Sequence, residues 1–302
     1  MISHLVKPLS FVTFLTLSAC GGGGGGGDDS GGGSGGGGGG VDPTPGSNGL
    51  PFGAVGQTLP DDAVDQAITM RSASFQSGGA PTIENARITV DAGFFQGDTP
   101  NLDGTITIFG NSAPITITNG QGVLASGETV TLTYEPNRTG AYAAAIEASV
   151  GSLNGINGEA AYVFGFETDP ATIAARSGGT VTYTGAFQSF GSLSGAPNSD
   201  TEYAGGMIFD VDFTGTGNAS VALDGQVNGA GNVDMGGSLG LAGNGFAGGL
   251  TCTTGCVNNG SEIDATFYGP NADELGGVLA IDITVTGVGA YDGVGRFILP
   301  AE

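Results

Sequence analysis

Three cysteines and one histidine bound the chemistry open to this 302-residue chain. The histidine is His4, and no other follows it. Ser-His-Asp and Cys-His nucleophilic catalysis need an imidazole base, so both are excluded from the body of the protein. His-ligated zinc and His-ligated haem are excluded with them. Paired carboxylates can serve acid–base chemistry without histidine, and Asp210 with Asp212 is such a pair. Their spacing of two places both on one side of an extended strand, a wall position with no closed pocket around it. Cys252 and Cys256 flank Thr253-Thr254-Gly255. A metal reading of that pair lacks a second cysteine pair and a nearby histidine. No catalytic residue, metal ligand or cofactor is expected.

The third cysteine has a different setting. Leu9-Ser10-Phe11-Val12-Thr13-Phe14-Leu15-Thr16-Leu17 is an apolar run preceded by Lys7, with the length of a signal peptide and too short to span a bilayer. Leu17-Ser18-Ala19-Cys20 closes it and resembles a bacterial lipobox. In that motif the cysteine after two small residues is lipidated and becomes the first residue of the mature protein. Acyl chains then anchor the protein, each buried CH₂ contributing about 0.8 kcal/mol. Residues 1–19 are the expected lipoprotein signal peptide. Residues 20–50, with Cys20 at their head, are the expected lipidated tether. The tether is glycine-rich, is expected to bury nothing and would span on the order of 30 Å as a random coil. An exported protein meets an oxidising compartment, so Cys252 and Cys256 are expected to form a disulfide that fixes a turn. Gly21 after Cys20 is no inner-membrane retention aspartate, and this favours the outer membrane.

Charge narrows the partners. Twenty-nine carboxylates face six basic residues, for a net charge of −23. Lys7 is the only lysine. The body keeps Arg71, Arg87, Arg138, Arg176 and Arg296. Such a surface repels nucleic acid and anionic headgroups. The acidity keeps the protein soluble, and it also suits a basic partner.

The elements that must position these residues are strands. Pro60 to Ile68 reads as a short helix, with proline and acids at its start and Val64, Ala67 and Ile68 on one face. From Ala86 onward the period is two. Arg87–Val90, Thr105–Ile108, Ile115–Ile117 and Thr129–Tyr134 alternate, separated by Asn/Gly/Pro-rich turns, and Tyr142–Val150 and Ala160–Glu167 add two more strands. A second series starts near Gly179. Val181, Tyr183 and Phe187 share one face. Met207, Phe209, Val211 and Phe213 share another, and Leu279, Ile281, Ile283 and Val285 another. About eight such strands joined by short turns predict an up-and-down antiparallel barrel. The opposite faces carry Asp210, Asp212, Asp224, Asp234, Asp264 and Asp282, so the apolar face lies inside and the barrel is soluble. The Gly/Asp-rich stretch from Asp224 to Gly249 does not keep the spacing of calcium-binding nonapeptide repeats.

One motif stands out. Phe267-Tyr268-Gly269-Pro270-Asn271-Ala272-Asp273-Glu274-Leu275-Gly276-Gly277 resembles the F-Y-G-P-x-A-x-E-x-G-G hairpin late in the barrel of the transferrin-binding protein B family of bacterial surface lipoproteins. Ser177-Gly178-Gly179-Thr180-Val181-Thr182-Tyr183-Thr184-Gly185 resembles the strand that opens that barrel, and Phe164-Gly165-Phe166-Glu167-Thr168 the segment before it. Order and spacing agree for all three. In the hairpin, Pro270 ends a strand, Phe267 faces the core, and Glu274 is expected to bond amides of its own loop.

The resemblance implies an all-β protein with a β-rich handle-like domain at 51–175 and an eight-stranded antiparallel up-and-down barrel at 176–302. It implies an outer-membrane, surface-exposed, lipid-anchored monomer. This protein would bind a solute or protein ligand, iron- or haem-related in the family, through barrel and handle loops. The chain has one handle-plus-barrel unit where the large transferrin receptors have two, which counts against transferrin itself. Expected contact loops are Ser192 to Gly205, with Tyr203 as the candidate ligand residue, and Cys252 to Gly260. The alternative is a structural or adhesin-like envelope lipoprotein, distinguished by having no ligand to recover.

Overall fold

A computed structural model of the chain describes residues 67–76, 79–89, 104–106, 108, 114–134, 140–151, 158–194, 196–214, 217–228 and 231–302. All belong to one compact unit. The segments read as signal peptide (1–19) and tether (20–50), with Cys20, lie outside them.

The first half is a six-stranded antiparallel sheet. In chain order its strands are β1 (Ala67–Gln76), β2 (Thr82–Thr89), β5 (Gln121–Val123), β6 (Thr129–Tyr134), β7 (Ala143–Val150) and β8 (Gly158–Gly165). They lie side by side as β2-β1-β8-β7-β6-β5. A separate hairpin, β3 (Gly104–Ile106) and β4 (Ile115–Ile117), completes the region. The reading of Pro60–Ile68 as a helix is corrected where it can be seen. Ala67 and Ile68 begin β1, held by pairing with Thr89 and Ile88. The rest of that segment lies outside the described residues.

Alternation sorts the side chains of this sheet onto two buried faces. Met70, Ala144, Ile146, Ala148, Ala160, Tyr162 and Phe164 form one core with Ile106, Ile115 and Ile117 of the hairpin. Ala73, Phe75, Ala143, Ala145, Ala161 and Val163 point the other way. That second face is small-residued because it lies against the barrel, where it meets Tyr268, Val278 and Val294.

The short helix α1 (Pro170–Ala175) leads into the second half. Asp169 caps it by accepting from the Ala171 amide, and Ile173 enters the barrel core. The strands that follow are β9 (Thr180–Leu193), β10 (Ala196–Asp212), β11 (Asn218–Val227), β12 (Asn232–Ala242), β13 (Gly245–Gly249), β14 (Thr251–Thr254), β15 (Cys256–Asn258), β16 (Glu262–Tyr268), β17 (Glu274–Val285) and β18 (Gly289–Pro300). β13 and β14 run in succession along β12, and β15 and β16 along β17. The wall therefore has eight members. Pairing of β18 with β9 and of β11 with β12 closes it, every neighbour antiparallel. The predicted all-β, handle-plus-barrel fold is what forms.

The barrel interior is packed with rings. Tyr183, Phe187, Tyr203, Phe209, Phe246, Phe267, Tyr291 and Phe297 all point inward and are buried. Phe187 meets Tyr203 edge-on, with centroids 4.8 Å apart. Glycine makes room for them. A Cβ on Gly225 would lie 2.7 Å from the Tyr203 ring and 2.8 Å from that of Phe187.

The outer wall is divided. Asp212 and Asp224 are exposed and Asp210, Asp234 and Asp282 half-buried, an arrangement for water and not for lipid. Asp264 departs from the expectation that all these acids are solvated. It is buried beneath the handle sheet, and Arg71 of β1 reaches it at 3.1 Å while donating to Thr266 at 2.7 Å. Burial pushes the Asp264 carboxyl up more than Arg71 pulls it down. Arg296, also on the outer wall, is buried against Glu147 of β7 at 3.3 Å.

Glu274 ties the two halves together. It does not serve its own loop, as the sequence led us to expect. Its carboxylate accepts the backbone N–H groups of Ala141, Tyr142 at 3.0 Å and Ala143 at 3.1 Å, the two residues leading into β7 and its first. Burial raises its carboxyl, and those three amides oppose the rise. The neighbouring turn is fastened too. Thr168 donates to the Gly269 carbonyl at 2.6 Å, and the Tyr183 hydroxyl to that of Ala272 at 2.8 Å. The two motif segments 164–168 and 267–277 therefore meet in space and join handle to barrel.

Candidate functional site

With the interior filled and β16–β18 covered by the handle, the open wall of the barrel runs along β9–β12 and on to β13–β15. A groove of about 790 Å³ crosses it, lined by Thr184, Gly206, Ile208, Ala222, Asp224, Asp234 and Gly236 among others. The strand registers explain its shape. Ile208 pairs with Thr184 and with Ala222, and Ala222 pairs with Gly236. That row is low because alanine and glycine follow the isoleucine. Ile208 stands 47% exposed, one of few large apolar side chains so placed among the described residues. Two residues along, Gly206 pairs with Asp224, and Asp224 with Asp234. A Cβ on Gly206 would meet nothing within 4 Å, so the groove is open above it. Two carboxylates directly opposite on neighbouring strands repel each other. Asp234 Oδ1 is buried and has no hydrogen-bond partner among the described residues.

Thr253 forms one edge of the groove, and it sits between the two paired cysteines. Cys252 and Cys256 are bonded, with S–S 2.06 Å, across the turn from β14 to β15. Gly255 occupies the turn with φ +76°, and a Cβ there would lie 2.0 Å from the Asn232 carbonyl, so only glycine fits. The turn is held from both sides. Thr251 donates to the Gly236 carbonyl at 2.9 Å, Asn258 to that of Leu250 at 2.8 Å, and the Thr286 amide to Gly255 at 2.9 Å.

The other sequence candidates fall in different places. Tyr203 is not in an exposed loop. Residues up to Leu193 belong to β9 and those from Ala196 to β10, and the Tyr203 ring points into the lumen, fully buried. Its hydroxyl donates to the Val233 carbonyl at 2.9 Å, and burial raises its pKa. It shares parity with Met207, Phe209 and Val211, a signal that extending the strand backwards would have revealed. Asp210 and Asp212 do not converge on a reacting centre. Asp210 accepts from Thr182 at 2.7 Å, and Asp212 from Thr214, which holds its carboxyl below the usual range. Among the described residues no three acids, cysteines or histidines are grouped to hold a metal. Residues that sequence reasoning missed are Gly206, Ile208, Ala222 and Gly236, whose contiguity exists only through strand register.

Comparison with known proteins bears out the resemblance drawn from the motifs. Residues 170–293 match the family described as the C-lobe and N-lobe beta barrels of Tf-binding protein B. Comparison of the sequence with curated proteins finds no match. Among solved structures, transferrin-binding protein B from Neisseria meningitidis is 16% identical, with a TM-score of 0.46 over 78% of this chain and 43% of that one. Two mutant forms of the Haemophilus parasuis protein are 14% and 15% identical, with TM-scores of 0.44 and 0.47, each over 77% of this chain and 45% of theirs. The chain thus spans less than half the length of these proteins.

Proposed function

We propose that this chain, which carries a barrel of the Tf-binding protein B type at 170–293, is an outer-membrane lipoprotein that binds a protein ligand on the outside of that barrel. Cys20 carries the lipid, and the glycine-rich residues after it hold the body away from the membrane. The observation that carries the reading is the distribution of free surface. Rings fill the lumen, the handle covers one side, and the open wall includes the groove over β9–β12, edged by a disulfide-fixed turn. A turn fixed before binding loses less entropy when a ligand orders it. Transferrin is the ligand named for the similar proteins, and iron- or haem-carrying host proteins are the class to test here.

Three measurements test this. Protease treatment of intact cells should remove the wild-type chain from the surface, and Cys20→Ser should release it from the membrane fraction. Detergent-solubilised full chain on a sensor surface should bind a member of that class, and deletion of Cys252–Gly260 should abolish binding with the barrel still folded. An abundant surface chain that binds none of them would indicate a structural coat.

A further inference from the structure

We infer that the groove over β10–β12 receives an extended cationic segment of a polypeptide partner, an arginine or lysine lying between Asp224 and Asp234 with an apolar residue two positions along. The inference rests on the reading that the open wall is the ligand surface, and it adds the chemistry of what docks there. Three features of the groove support it.

The first is the acid pair. Asp224 and Asp234 are direct cross-strand partners, a like-charge contact that a bound cation converts into an attractive one. The buried, unpartnered Oδ1 of Asp234 gives that cation an acceptor. No cation is supplied there among the described residues. Among the described arginines, Arg71 is on Asp264, Arg176 lies over the Phe213 ring, and Arg296 is on Glu147. A guanidinium, with several donors in a planar fork, suits two carboxylates.

The second is the apolar floor. Ala222 and Gly236 lie two residues from Asp224 and Asp234 along β11 and β12, and Ile208 lies two residues from Gly206, the neighbour of Asp224 on β10. Alternate residues of an extended chain are roughly 6.6 Å apart on one face, so a ligand strand aligned with β11 presents positions i and i+2 to the two rows at matching spacing. The third is the field. A net charge of −23 draws a basic segment toward the body and disfavours an anionic one.

The probe is a fluorescein-labelled peptide of Arg-Ser-Val-Ser repeated three times, titrated by anisotropy against the detergent-solubilised full chain. Asp224→Asn with Asp234→Asn should weaken binding about tenfold or more. Gly206→Leu, which fills the groove without changing charge, should weaken it about fivefold. Asp212→Asn with Glu262→Gln removes the same charge from other parts of the wall and should change binding less than twofold. Circular dichroism melts check that each variant is folded. Equal loss in the distant pair, or unchanged binding in Gly206→Leu, would overturn the inference and leave only diffuse attraction. A Glu-Ser-Val-Ser peptide that binds the wild type and is blocked by Gly206→Leu would discard the cationic segment yet keep the wall as a ligand surface. A host-protein ligand indifferent to every groove variant would discard both.

Discussion

Asp282 and Asp292 face each other across β17 and β18 on the outer wall. Burial, then the charge of Asp282 and its hydrogen bond, push the Asp292 carboxyl up to about 6, from the ordinary aspartate value of 3.8. A raised carboxyl means that the folded protein binds the proton more tightly than the unfolded chain. The pair therefore favours folding fully below pH 3.8, and that contribution is lost as pH rises through about 6. Asp292→Asn removes the repulsion and the titration together. Its melting temperature at pH 7.5 should exceed that of the wild type by a few degrees, and its dependence on pH between 5 and 7.5 should be flatter. A parallel pH profile in wild type and variant would refute this assignment. Single carboxylates of this wall thus behave differently according to what covers or opposes them, although all share the same outward parity.

At the scale of the element, the disulfide-bridged turn between β14 and β15 shows how little chain suffices to fix a surface feature. The disulfide closes only a short loop, and on a chain-entropy account it contributes about 2 kcal/mol. Side-chain bonds to β12 and to Leu250 hold the same turn, so the fold does not hang on the bridge. Replacing Cys252 and Cys256 by serine should lower stability by at most about 2 kcal/mol in urea unfolding. Amide exchange protection should fall at 251–258 and persist in β10 and β17. Loss of protection throughout the barrel would mean that the bridge supports the core and does not merely position Thr253.

Across the whole molecule, handle and barrel share one interface core, and Glu274 is its polar centre. Small residues make the close approach possible. A Cβ on Gly276 would lie 2.9 Å from the Tyr268 ring and 3.0 Å from Val163 across the interface. Buried amides that lose an acceptor are costly. Glu274→Ala strands three of them and should reduce stability by about 2–4 kcal/mol in denaturant unfolding. Glu274→Gln, which keeps one acceptor oxygen, should fall between the two. Wild type should unfold in a single transition, because the handle leaves an alanine-rich apolar face exposed if it separates from the barrel. Two transitions in the wild type would show that the interface does not couple them.

What the amino-acid order determined by itself was the inward and outward parity of the barrel strands, the solvent-facing sign of most of its wall, and the hairpin that carries Glu274. These depend on period-two geometry and turn residues, which act over a few positions. Only tertiary structure decided which part of that wall is covered. Asp264 and Arg296 are buried because segments about 150–190 residues upstream fold over them, and local alternation carries no trace of that. It also decided the target of Glu274, whose amide partners lie 131–133 residues away. The groove belongs with these. Gly206, Ile208, Ala222 and Gly236 are unremarkable in the chain and become a floor only when register sets three strands side by side.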